Sequence, residues 1–106
     1  MPATIEKKKG TCRIKLSQAM TIETAAEIHG VFMEALSDKN GKTAAIVLED
    51  GGLGKIDVAG LQLLIALKNS AEQRSIDFNS DEIVKNAKIL EEAKLLGIPL
   101  EHVKSR

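Results

Sequence analysis

Apolar and polar residues change their spacing several times along the chain, and each change marks an element. Residues 3–6 (ATIE) and 11–17 (TCRIKLS) alternate, with Cys12, Ile14 and Leu16 on one side and Arg13 and Lys15 on the other. A period of two is that of half-buried strands. Lys9 and Gly10 lie between the two runs, so a hairpin with its turn there is expected. From Thr21 the period lengthens, and Ala25, Ile28, Phe32 and Leu36 fall at helical spacing. Thr24 with Glu27 three residues on fits a capping box, Thr21 is a second candidate cap, and Asp38 to Lys42 ends the helix in a turn.

The run Thr43 to Glu49 is continuously apolar in its middle. That is the pattern of a central strand covered on both faces, with Ile46 and Leu48 at its heart. Asp50 to Ile56 reads as a glycine-rich loop, and Asp57 as the N-cap of a helix running to Gln73. Ser75 to Phe78 is a short last strand. Ser80 to Ile98 is a last helix, with Ser80 or Asp81 as cap and Gly97-Ile98-Pro99 as stop. The order is β-β-α-β-α-β-α. Each strand–helix–strand step is long enough for a right-handed parallel crossover, and the hairpin adds an antiparallel edge. A small mixed α/β sheet with helices packed on it is therefore expected, as one domain over residues 1–106.

Composition then removes whole classes of function. Fifteen basic residues balance fifteen acidic ones, so there is no electrostatic footprint for nucleic acid or an anionic membrane. Phe32 and Phe78 are the only aromatics; the core must be aliphatic, and stacking platforms for single strands are missing. Cys12 is the single cysteine, which precludes an intrachain disulfide. Its place in an alternating run suits a small buried residue better than a nucleophile. The N-terminus lacks the apolar stretch of a signal peptide, and no apolar run reaches membrane-spanning length. A cytoplasmic protein with no direct membrane insertion is expected. Lys7 to Lys9 read as a solvated edge, and His29 as a boundary residue rather than a metal ligand.

The stretch EDGGLGKIDVAGLQLL, Glu49 to Leu64, is the richest in candidate chemistry. A phosphate loop needs G-x-x-x-x-G-K-[ST], because amides, lysine and hydroxyl each hold a different part of nucleotide and magnesium. Aligned on Gly54-Lys55, that pattern puts Glu49 at the first glycine and Ile56 at the hydroxyl. A carboxylate repels phosphate and isoleucine cannot ligate magnesium, so the nucleotide reading is rejected. No Cys/His or Ser/His spacing, H-x-x-x-H or C-x-x-C occurs elsewhere, and Glu91-Glu92 lie side by side on a solvated helix. No catalytic residue, metal ligand or cofactor site is identified. In the helix after Asp57, Leu61, Leu64 and Ile65 read as one face, with Leu63 and Leu67 pointing nearly the opposite way. Such a wide apolar arc calls for burial on two sides or for a partner.

KIDVAGLQLLIALKNSA, Lys55 to Ala71, resembles the signature of the STAS domain, the fold of the bacterial anti-sigma factor antagonists. That signature runs apolar-Asp-[Ser/Thr]-[Ser/Ala]-Gly-Leu into an apolar helix. LSQAMTIETAAEI is similar to the family's second strand and first helix, and LEEAKLLGI to its closing helix, so the resemblance spans nearly the whole chain. It implies a non-enzymatic partner switch in transcription regulation or related signalling. The partner would be an anti-sigma factor of the kinase-like ATPase type or a chemotaxis-type kinase. In the family, phosphorylation of a hydroxyl after the aspartate breaks the complex by adding negative charge. Val58 and Ala59 stand at the two hydroxyl positions here, Ala59 at the usual acceptor, so neither can take a phosphoryl group. A second branch shares alanine there: the cytoplasmic STAS subunit of lipid-trafficking ABC transporters, and stand-alone STAS proteins of chemotaxis-type signalling. These typically keep a threonine where this chain has Val58. The transporter-accessory role is the alternative. The expected partner-binding residues are Gly52, Leu53, Asp57, Val58, Ala59, Leu61 and Gln62, and weak homodimerisation is left open.

Overall fold

The computed structural model describes residues 2–37 and 43–104. The expected turn at Asp38 to Lys42 lies outside them. Four strands, β1 (Ala3–Lys8), β2 (Thr11–Met20), β3 (Ala45–Ile56) and β4 (Asp77–Asn79), form one sheet in the order β1-β2-β3-β4. β1 and β2 are an antiparallel hairpin around Lys9 and Gly10, while β2–β3 and β3–β4 are parallel. Three helices, α1 (Ala25–Leu36), α2 (Val58–Gln73) and α3 (Ala87–Leu96), supply the crossovers and the closing element. This is the mixed α/β architecture expected.

Alternation along β2 buries Cys12, Ile14 and Leu16, and along β3 buries Ile46 and Leu48. Onto that face pack Ile28, Phe32 and Ala35 of α1, Leu61, Leu64, Leu67 and Ala71 of α2, and Ile89 and Ala93 of α3. Here the structure departs from the expected two-sided cover of β3. Val47 is only half-buried, and Glu49 stands on the open face, its Oε2 3.5 Å from Arg13. All three helices feed a single core, so the other face of the sheet is left to charged side chains.

The wide apolar arc of α2 is likewise resolved by packing. Leu67 lies with Leu61 and Leu64 in the core, not opposite them. Leu63 and Ile65 are half-buried at the two margins, packed against the core where α1 and α3 flank the helix. A helix wedged between two others needs more than one stripe.

Two caps differ from expectation. Thr24 stands at the N-cap of α1, but its hydroxyl makes no capping hydrogen bond. It accepts from the Thr21 amide at 3.0 Å and donates to the Ala19 carbonyl at 3.0 Å, stitching the β2–α1 turn. The last helix does not run unbroken from Ser80. Residues Ile83–Lys85 form a 3-10 turn, Asn86 is extended, and α3 starts at Ala87 with Asn86 as its cap. Ser80 is buried and donates to the Val103 carbonyl at 2.6 Å. The last strand also starts two residues late. Ser75, at φ 57°, and Ile76 close α2 through amides donated to Glu72 and Ala71, the Schellman arrangement that ends a helix.

Candidate functional site

Asp57 stands where β3 hands over to α2. Its Oδ1 accepts from the Gly60 amide at 3.2 Å, the N-cap bond expected from the sequence. Its Oδ2 accepts from the amide of Ile22, at 3.0 Å, in the turn that leads into α1. One carboxylate thus fixes the first turn of α2 and ties it to the end of β2. Partial burial works against its ionisation. The amides of Ile22, Gly60 and Ala59, with the Lys55 ammonium, outweigh that and hold the carboxyl below its ordinary range.

The approach of α2 to β2 is close. The Asp57 amide donates to the Met20 carbonyl at 3.2 Å. A methyl group on Gly60 would run into that same carbonyl oxygen. Glycine at the fourth position of the Asp-x-x-Gly pattern is therefore set by backbone contact.

The glycine-rich segment Asp50 to Ile56 is not a loop. It is the second half of β3, paired with β2 as far as Met20 opposite Ile56. The pairing slips twice: Leu16 and Gln18 face Asp50 and Leu53, and Gln18 and Ala19 face Leu53 and Lys55. Each slip places an extra residue in β3, which is a β-bulge. The glycines serve this geometry, with Gly52 at φ 95°, a conformation costly for any residue bearing a Cβ. Asp50 organises the first bulge: its Oδ1 accepts from the amides of Gly52 and Leu53, both at 3.0 Å. Burial opposes ionisation of Asp50 too, but Asn86 and these two amides outweigh it and lower its pKa.

The expected partner-binding residues divide by exposure. Leu53 and Leu61 are 4% and 0% exposed, so both side chains belong to the core. Gly52, Val58 and Gln62 are exposed, and Asp57 and Ala59 half-buried. Ile22, which sequence reasoning missed, joins this surface through its bond to Asp57 and is 72% exposed. A cap at Thr24 already places it ahead of the first helix; what sequence could not show is the bond to Asp57, made only in the fold. A small depression of about 190 Å³ lies between Gly54 to Ile56 and Lys88, Glu91 and Glu92 of α3. The larger groove, about 610 Å³, follows β4 and the end of α2 and shares no residue with this surface. Among the described residues, no group of metal-ligating side chains converges, and no helix is long and apolar enough to cross a membrane.

A family model described as "Mlab, STAS domain" matches residues 3–97. No curated protein matches the chain in sequence. Among solved structures, the chain is similar to the anti-sigma factor antagonist SpoIIAA in its unphosphorylated form, with a TM-score of 0.66 and 13% identity, over 91% of this chain and 81% of that one. The Bacillus cell fate determinant SpoIIAA in the phosphorylated form gives 0.66 and 14%, over 91% and 84%. A similar fold occurs within SLC26A9, with a TM-score of 0.58 and 11% identity, over 94% of this chain and 19% of that one. At such identities the likeness to these structures is one of fold.

Proposed function

The chain belongs to the STAS family, and on that footing we propose that it is a cytoplasmic, non-enzymatic docking module of a bacterial signalling pathway. It binds its protein partner through the surface around the N-terminus of α2 and works without the phosphorylation switch of anti-sigma factor antagonists. The partner is a kinase-like ATPase of the anti-sigma type or a chemotaxis-type kinase. One observation carries this reading. Val58, 43% exposed, and the half-buried Ala59 occupy the first turn of α2, and no hydroxyl lies between Gly51 and Gln62. A surface that presents apolar side chains at a capped helix end, with no hydroxyl from Gly51 to Gln62 to phosphorylate, suits constitutive docking.

The second reading, an accessory subunit of a lipid-trafficking ABC transporter, is favoured by Ala59, which that branch shares. The two readings differ in what the protein captures from a lysate of its native host. A kinase-like ATPase supports the first and an ABC permease or its ATPase the second. Ala59→Asp tests the site itself. The new carboxylate sits at a helix N-terminus, where negative charge is tolerated, and mimics the phosphorylated state of related proteins. Loss of capture with an unchanged melting temperature is expected. Undiminished capture would refute docking at this surface.

A further inference from the structure

We infer that Asn86 is the positioning residue of the Gly51 to Lys55 strip of β3, which leads into the docking surface: its carboxamide starts α3 and, with the same side chain, holds the β3 bulge in shape. The docking reading above supplies the functional meaning of this role, while the hold itself is a matter of geometry. Oδ1 of Asn86 accepts from the amides of Lys88 at 2.8 Å and Ile89 at 3.4 Å, the two amides an N-cap serves. Nδ2 donates to Oδ2 of Asp50 and to the carbonyl of Leu53, both at 2.9 Å. With two acceptors on one side and two amides on the other, only one orientation of the carboxamide satisfies the site.

The bonds form a chain of holds. Asn86 grips Asp50, and Asp50 grips the amides of Gly52 and Leu53. Glu82 adds a further tie, its Oε1 accepting from the Asp50 amide at 2.9 Å. Gly51, Gly52 and Gly54 have no side chains with which to anchor themselves, and glycine has the most backbone freedom to lose. Leu53 is the one buried side chain of the strip from Gly51 to Lys55. Beyond the pairing with β2, its shape is therefore held from outside, by Asp50 and Glu82 and by the residue that begins α3.

Asn86→Asp separates the two roles. Aspartate caps a helix as well as asparagine, so the bonds to Lys88 and Ile89 survive. The other oxygen now faces Oδ2 of Asp50 and the Leu53 carbonyl, three acceptors with no donor among them. A residue that only capped α3 would accept this change in silence. We expect amide hydrogen exchange at Gly52 and Leu53 to accelerate on the order of tenfold, with Lys88 and Ile89 unchanged. Asp50→Asn alone turns a donor against a donor and should accelerate the same two amides. Combining the two substitutions restores one donor–acceptor pair and should return exchange part of the way to the parent rate. Parent-like exchange at Gly52 and Leu53 in Asn86→Asp would overturn the inference. Should Lys88 and Ile89 accelerate as well, Asp50→Asn, which leaves the cap alone, decides the question by the same criterion. None of these rates involves a partner, so they stand apart from the Ala59→Asp test of docking. If exchange accelerates yet Asn86→Asp captures the parent's partner undiminished from native lysate, the positioning role in docking falls.

Discussion

Asp57 and Ile22 lie 35 residues apart in sequence and are joined by one hydrogen bond, the Ile22 amide to Oδ2 at 3.0 Å. The bond makes the cap of α2 a tertiary contact as well as a local one. It also sets the most exposed large apolar side chain near the first turn of α2 beside that turn.

Replacing Asp57 by alanine removes the acceptor for both Gly60 and Ile22. The loss of an N-cap costs about 1 kcal/mol, and the second amide about as much again. Chemical denaturation should show a total of about 1–2 kcal/mol. Asp57→Asn keeps an acceptor for one amide and should lose about half of that.

Asp50 and Asp57 both titrate below the ordinary aspartate value of 3.8. The folded state then holds fewer protons than the unfolded chain through that window, so stability rises with pH there. The contribution is complete above the unfolded value and disappears as pH falls through the lowered folded values. Melting temperature should therefore fall in acid below that point. Asp57→Asn should have a lower melting temperature at neutral pH but a flatter acid slope. An equally steep slope in the variant would show that other carboxylates carry the effect.

Gly60→Ala offers a test by sign. Alanine inside a helix normally gains up to about 1 kcal/mol over glycine. Here the added methyl meets the carbonyl and Cβ of Met20, largely backbone that cannot swing aside. A loss of about 1–3 kcal/mol is expected, as for other overpacked sites. A rise in melting temperature would mean that α2 can move away from β2.

Ile22→Glu and Val58→Glu change exposed side chains and should leave stability within about 0.5 kcal/mol of the parent. Partner affinity should fall by on the order of tenfold or more, since binding energy concentrates in a few apolar residues. Equal affinity for both variants would remove this end of α2 from the interface.

Mass spectrometry of the protein from its native host should find no phosphate from Gly51 to Gln62, where no hydroxyl exists. A regulated phosphate at Thr43, Ser70 or Ser75 would overturn the proposal of constitutive docking.

What the amino-acid order settled by itself was local. The alternation of Cys12, Ile14 and Leu16, the turn at Lys9-Gly10, and Asp57 ahead of an apolar helix each act within a few residues. The hairpin, the succession of elements along the chain and the start of α2 could be read from them, while the side-by-side order of the strands in the sheet could not. Tertiary structure decided the rest, because the deciding partners lie far along the chain. Gly51, Gly52 and Gly54 look like a loop until β2 pairs with Asp50, Leu53, Lys55 and Ile56 around them, and the pairing is made by backbone groups that leave no trace in side-chain pattern. Leu63 and Ile65, at the margins of α2, are half-buried because α1 and α3 flank the helix. Asn86 is an unremarkable polar residue in a helical pattern until the fold brings Asp50 and the Leu53 carbonyl to its donors. Once they are there, the side chain serves both elements, and the helix has to begin where the bulge is held.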